Sequence, residues 1–305
     1  MNKGRTLPPL PLFDLDCMHC AINQVINTTE VAGTPEPKRR ELMHKALGML
    51  AEMDINTNNC LMIESIYRMV CREIGVEDPY RDTRIYFDRE MMRLLPELRR
   101  RISQSDDKLR MAVKIAIAGN LIDLAALGNE VTLEKALAKL DEVERGGLYF
   151  DHCDHLAEAL SRAKTLLVLG DNCGEIALDR LLIETIRDLY PQLRITYGVR
   201  GEAIVNDVTF EDADVVGMGE ICEVIGNGSG LLTTMLCRTS DAFNEAFYAA
   251  DVVISKGMGN LEGLHNCDRG GIWFLLIAKC AAVARLAGAP RGSILCMEKR
   301  DAAVL

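Results

Sequence analysis

The chain has 305 residues, 49% of them hydrophobic and 26% charged, enough apolar material for a sizeable buried core. Its 45 acidic residues against 35 basic ones leave a net charge of −10, which excludes a broad nucleic-acid surface and a polybasic membrane anchor. Eleven cysteines, an odd number scattered along a long chain, fit reduced thiols in a cytoplasm rather than a disulfide framework.

Residues 1–12 are proline-rich and carry no apolar signal-peptide core. From Asp16 to about Arg145 apolar residues recur at helical spacing, as at Ile63, Ile66, Tyr67 and Val70, and again at Leu109, Val113, Ala116 and Ile117. Pro35 and Pro37, residues 56–59, Pro79, and residues 103–106, 128–132 and 146–147 punctuate this half into about six helices without a strand. The two most apolar stretches are 112–128 and 272–289. Lys114, Asn120 and Asp123 interrupt the first, and Lys279 and Arg285 the second, so neither offers the ~20 apolar residues of a membrane span.

Beyond Asp154 the pattern changes to short apolar runs between amphipathic stretches. Residues 165–169, 195–199, 252–255, 273–278 and 293–297 read as strands, although 272–279 reads equally as a buried helix. The organisation predicted is an all-helical domain over residues 1–155 and an α/β domain over 156–305. Its parallel sheet is covered on both faces, a doubly wound three-layer arrangement. Ligands of such a sheet bind beyond the carboxyl ends of its strands.

Three strands deliver polar residues to that edge. The first runs into Gly170-Asp171-Asn172-Cys173-Gly174-Glu175, where two oxygen-bearing side chains precede a helix. They suit a hard divalent cation, and they suit equally the capping of that helix. The second strand leads to Arg200-Gly201 and then Asn206-Asp207, with Asp207 one crossover away and read either as a third oxygen ligand or as a turn residue. The third ends in Lys256-Gly257-Met258-Gly259-Asn260, which reads as a phosphate loop with an ammonium, or as a glycine turn with a surface lysine. Together Asp171, Asn172 and Asp207 form an oxygen set for Mg²⁺ or Mn²⁺ that leaves positions open for water and substrate, the equipment of phosphoryl hydrolysis.

These segments resemble the damage-control phosphatase family, formerly domain of unknown function 89. The resemblance rests on Asp171-Asn172-x-Gly174-Glu175 with residues 179–184, on Arg200-Gly201 with residues 206–209 and Asp212-Ala213, and on residues 256–263. Cys17-x-x-Cys20 and Gly119-Asn120-x-Ile122-Asp123 add to it, so it covers nearly the whole chain in order. The cysteine pair and the compact length resemble its stand-alone prokaryotic branch. The resemblance implies a helical domain joined to a Rossmann-like α/β domain and a phosphatase acting on small phosphorylated metabolites, either sugar phosphates or phosphorylated cofactors. It implies a divalent ion (Mg, Mn, Co or Ni) on Asp171, Asn172 and Asp207, with the substrate phosphate at residues 256–260. Cys173 departs from the pattern, where many relatives carry Ala or Ser.

Glu175, Arg200, Asn120 and Asp123 are further candidates for the substrate side, the last two because burial of unpartnered polar groups in an apolar stretch costs ~1–3 kcal/mol each. Cys17 and Cys20 share a helix face and supply two of the four ligands of a structural zinc site, or pack as small hydrophobes. Asp14-Leu15-Asp16 matches a phosphorylated Asp-x-Asp motif only in spelling, since prolines precede it where a buried strand is needed, and Asp16 reads as a helix cap. Residues 151–155 are rich in metal-ligand types but read as a helix start. Gly226-Asn227-Gly228-Ser229-Gly230 reads as a site wall or an ordinary turn. Two alternatives remain: an S-adenosylmethionine-dependent methyltransferase using the glycine-rich turn at 168–174, and a non-catalytic metal or redox protein built on Cys17 and Cys20. The sequence leaves the oligomeric state open.

Overall fold

The computed structural model describes residues 14–54, 56–119 and 133–299. Helices come first: α1 (Met18–Val31), α2 (Glu36–Glu52), α3 (Asn59–Ile74), α4 (Arg81–Met92), α5 (Leu95–Gln104), α6 (Lys108–Ala118) and α7 (Leu133–Arg145). Their ends follow local chemistry. The Asn58 side-chain oxygen Oδ1 accepts the Cys60 N–H to open α3, and Gly75 closes that helix at φ 71°, a left-handed position that costs glycine nothing. At the N-terminal end Asp14, not Asp16, is the cap: its carboxylate accepts the Asp16 N–H ahead of the short turn Leu15–Cys17.

The sheet has seven strands: β1 (Phe150–Asp151), β2 (Thr165–Leu169), β3 (Arg194–Val199), β4 (Glu223–Gly226), β5 (Val252–Lys256), β6 (Ile272–Ile277) and β7 (Ile294–Lys299). Between them lie α8 (Cys153–Arg162), α9 (Glu175–Leu189), α10 (Phe210–Val215), α11 (Asp241–Ala249), α12 (Gly257–Leu264) and α13 (Ala281–Ala287). The order β1-β7-β6-β5-β2-β3-β4 runs outward in both directions from a seam between β2 and β5. The chain is therefore α/β, and its seam is where open sheets present ligand sites.

All five expected strands form, and 272–277 is a strand rather than a buried helix. The parallel expectation needs one correction, because β7 runs antiparallel to β6. Hydrogen bonds from Ala278 N–H to Ser293 O and from Gly292 N–H to Ala278 O close the connection beside the end of β6, so the chain returns next to β6 after α13, which buries Val283, Ala284 and Ala287 in the second core described below. Two strands were not expected. β1 has two residues and β4 is a partly exposed four-residue edge, both too short for a periodic signal.

Strand residues alternate between two cores. Leu166, Val168, Ile254, Trp273 and Leu275 face one that includes α4, α5, α6 and α9, while Leu167, Leu169, Val253, Phe274 and Leu276 face the other, with Phe243, Phe247, Leu261 and Leu264. The first core runs without a break from Ile115 and Ile117 of α6 into the sheet. A smaller cluster joins α1, α2 and α3.

Candidate active site

The apolar strand β2 stops at Leu169, and Gly170 follows where a Cβ would run into the Tyr197 hydroxyl. Asp171 and Asn172 come next, but neither caps α9. That helix opens at Glu175 with Gly174 as its N-cap at φ 72°, and the Gly174 N–H donates to Asp88 Oδ1 at 2.6 Å. The two residues are thereby released for other work. Val208 N–H donates to the Asp171 carbonyl and Cys173 N–H to the Asn206 carbonyl, at 3.0 and 2.8 Å, and Asn172 and Asp207 form an isolated antiparallel bridge. Asp207 thus stands beside Asn172, as the sequence pattern required.

Side chains complete the arrangement. Asn172 turns its amide N–H groups to Asp171 Oδ2 (2.7 Å) and Glu175 Oε1 (2.9 Å), which directs its own oxygen elsewhere. Arg200 donates through Nε to Asp207 Oδ2 at 2.7 Å, and through its other nitrogens to Thr234 Oγ1 and Asn260 Oδ1. Asp171, Glu175 and Asp207 are all buried. Burial and the charge of Asp207 raise Asp171 to about 7, against the pull of Arg200, Lys256 and Lys279. Glu175 is raised to about 7 by burial, and Asp207 to about 6 by burial despite Arg200. Burial opposes ionisation of all three acids, and a positive charge brought beside them would favour their charged forms. Oxygen donors only, from two carboxylates and an amide, fit a hard divalent ion.

The lysine expected to grip phosphate is engaged differently. Lys256 is 1% exposed, and its ammonium donates to Asp179 Oδ1 (2.6 Å), Ala116 O (2.9 Å) and Glu175 Oε2 (3.2 Å), using its three protons. Burial works against that charge, but Asp179 and Glu175 outweigh it and hold the lysine protonated. The Tyr197 hydroxyl donates to the second Asp179 oxygen. Nor do residues 257–260 form a glycine loop, since they are the first turn of α12. Gly257, at φ 78°, lies where a Cβ would collide with the Asp171 carboxylate. Asn260 spends its amide on Gly170 O and Lys256 O and its oxygen on Arg200 and Thr234, so it braces the strand ends.

One cation at this edge escaped the sequence reading. Lys279 follows β6, is half-buried, and its charge acts on Asp171. No ion pair holds its ammonium among the described residues. The signal was there as a lysine at a strand terminus, the feature that singled out Lys256, but 272–279 was also readable as a helix.

Other candidates separate from the cluster. Asn120 and Asp123 lie outside the described residues; Gly119, at the end of α6, packs against Glu175. Cys173 is buried and faces Asp88, Asp212 and Arg84. In the glycine-rich loop, Asn227 Oδ1 accepts the Gly201 and Ser229 N–H groups at 2.9 and 2.8 Å, a turn packed against the end of β3. Cys17 immediately precedes α1 and Cys20 lies in its first turn, where Glu262 is the carboxylate that bears on both. His152, His155 and Glu298 offer ligand atoms within 4.8 Å of one another, at the far end of β7. There the His152 Nδ1 lone pair already accepts the Glu298 N–H at 2.9 Å, which places the ring proton on Nε2 and opposes ligation by either nitrogen.

Comparisons with known proteins point to one family. A family model described as the damage-control phosphatase ARMT1-like domain matches residues 14–295. A damage-control phosphatase of Pyrococcus horikoshii is 34% identical over 286 residues, covering 93% of this chain and 97% of the relative. A damage-control phosphatase of Archaeoglobus fulgidus is 31% identical over 281 residues, covering 92% and 96%. The crystal structure of a DUF89 family protein from Pyrococcus horikoshii, at 2.04 Å resolution, superposes with a TM-score of 0.86 and 31% identity, over 95% of this chain and all of that one.

Proposed function

The chain belongs to the damage-control phosphatase ARMT1-like family, and from that premise we propose that it hydrolyses phosphate monoesters of small metabolites with a divalent ion (Mg, Mn, Co or Ni) held by Asp171, Asn172 and Asp207. The observation that carries this reading is the buried set of oxygen donors at the β2–β3 edge, with Asn172 hydrogen-bonded to Asp171 and Glu175 and bridged to Asp207. When bound, such an ion neutralises phosphoryl oxygens and lowers the pKa of water. The chain's own residues do the rest. Arg200 fixes Asp207, and Asn172 is fixed by the two carboxylates its amide bridges. Lys256 offsets the charge of Glu175 and Asp179 from below and keeps both acids aligned. Lys279 takes the role first given to Lys256: on this reading its ammonium binds the substrate phosphate beside Asp171. The N–H groups of the first turn of α12 add their dipole to the same anion.

Sugar phosphates, phosphorylated cofactors and damaged metabolites are the substrate classes proposed. A cytoplasmic setting belongs to the same proposal. Calorimetric titration of metal-free protein with Mn²⁺ tests the ligand set. Binding by the parent protein that weakens at least about 10-fold in Asp207→Asn is expected. Unchanged affinity in that variant and in Asp171→Asn would remove the trio from the reading.

A further inference from the structure

Helix α4 supplies none of the proposed ligands, yet it packs on α9 and α10, the helices that follow the Asp171 and Asp207 turns. Its buried residues are Arg84, Phe87, Asp88 and Met91, spaced three and four apart so that they form one stripe. A Cβ on Gly174 would lie 3.3 Å from Met91 Cγ and 3.8 Å from Phe87 Cβ, so the backbone at the start of α9 rests on this stripe. Asp88, fully buried, accepts the Gly174 N–H there at 2.6 Å. One turn earlier Arg84 donates through Nε to both oxygens of Asp212 at 3.2 Å, and through Nη1 to the Val205 carbonyl at 3.4 Å.

These bonds fall where the backbone is strained. Gly174 holds φ 72° and ψ −49°, near a γ-turn conformation that is rare and strained. Val205, at φ 48°, is the one non-glycine residue with positive φ among the described residues, and it is β-branched. Gly174 lies two residues after Asn172, and Val205 two residues before Asp207. Such conformations persist only where the surroundings over-determine them, and α4 supplies a hydrogen bond at each. Asp88 suits this work as a neutral acid. Its Oδ2 is buried without a donor among the described residues, whereas Asp212 already receives Arg84, the Thr209 N–H and the Thr209 hydroxyl. Burial and the Asp212 charge raise Asp88 to about 9, so at neutral pH it keeps its proton and donates it to Asp212.

We propose that Asp88 is a positioning residue of the candidate active site. Through the Gly174 N–H, and by way of Asp212 and Arg84 through Val205, it holds the two turns that carry Asp171, Asn172 and Asp207. What those turns bind is taken from the phosphatase reading; how they are held is given by the hydrogen bonds. Asp88 acts through the backbone, and so sets how Asn172 and Asp207 stand against each other across their bridge. The chemistry needed at this position is one acceptor and one donor, not a charge. Asp88→Asn supplies both, its oxygen for Gly174 and its amide for Asp212. Asp88→Leu keeps the branched shape and removes both bonds.

Two readouts test this, neither of them activity. Metal-free parent, Asp88→Asn and Asp88→Leu proteins are titrated calorimetrically with Mn²⁺ well below their melting temperatures, and amide hydrogen exchange is followed by mass spectrometry. Asp88→Asn is expected to bind within about 2-fold of the parent, and Asp88→Leu at least about 10-fold more weakly. Exchange rises in Asp88→Leu over residues 170–176 but not in β6, which a general loss of stability would open as well. Should the leucine variant fail to fold, Asp88→Ala takes its place. Unchanged affinity and unchanged local exchange in the folded leucine or alanine variant, or an equal loss in Asp88→Asn, would overturn the proposal. A parent that binds no Mn²⁺ contradicts the metal reading instead, and the exchange pattern, which needs no metal, then decides the role of Asp88.

Discussion

Asn172 illustrates how much one side chain decides. Its amide bridges Asp171 and Glu175, and without those two hydrogen bonds a pair of buried acids would face each other unmediated. The metal-free protein therefore carries a pH signature. Asp171 and Glu175 titrate at about 7 and Asp207 at about 6, above their ordinary values, so the folded state holds protons that the unfolded chain releases between about pH 4 and 7. Stability from this cluster is present at the acid end and is lost as pH rises through that window. Melting temperatures of the metal-free protein, compared with Asp171→Asn/Asp207→Asn, check this. The parent falls relative to the variant from about pH 5 to about pH 7.5, and Mn²⁺ restores it at the upper value. A difference that stays flat, or grows in favour of the parent, contradicts the account. At this scale the sequence placed Asp171, Asn172 and Asp207 at one sheet edge, where Asn172 is hydrogen-bonded to Asp171 and bridged to Asp207, their role as ligands being the proposal above. It misjudged Lys256, since spacing can bring a lysine to a strand end but cannot reveal that Asp179 lies beneath it.

Among the elements, α12 positions the edge most closely. It starts directly on Lys256 and presses its first glycine onto Asp171. Gly257→Ala meets two penalties, a left-handed backbone at φ 78° costing about 1–2 kcal/mol and a collision with the carboxylate. Gly288, at φ 64° with open space around it, pays only the first. Denaturant unfolding is expected to show Gly257→Ala less stable than Gly288→Ala, with activity lost only in the former. Equal loss in both would mean that the Asp171 contact is unimportant. The sequence announced most elements through continuous apolar strands and glycine or asparagine breaks. The direction of β7 was not legible, because an apolar run reads the same either way, and the closing bonds of Ala278 are backbone events without a residue signature.

Over the whole molecule, the helices and the sheet share a core. Ile115 and Ile117 of α6 belong to the same buried cluster as Leu166, Val168 and Trp273. Arg84 of α4 adds a polar tie, donating to Asp212 beyond β3 at 3.2 Å, both fully buried. Removing one partner of a buried pair like this costs about 3–5 kcal/mol, which makes independent unfolding of the two halves unfavourable. The single tryptophan, Trp273, reports on the sheet, while far-ultraviolet circular dichroism reports mainly on the helices. The two transitions are expected to coincide in denaturant. Helix loss ahead of tryptophan exposure would show separate units. A core that crosses the sequence midpoint is invisible to composition, which changes sharply near residue 150 while the packing does not.

The central claim is that this carboxylate edge hydrolyses phosphate monoesters with a divalent ion. It is tested most directly by the release of phenolate from an aryl phosphate by chelator-stripped protein, with Mg²⁺, Mn²⁺, Co²⁺ and Ni²⁺ restored in turn. Turnover that requires one of these ions, and that falls at least about 100-fold in a folded Asp207→Asn variant, is the result expected. Turnover that ignores both the metal and the substitution, or none with any ion from folded, metal-binding protein, would contradict it.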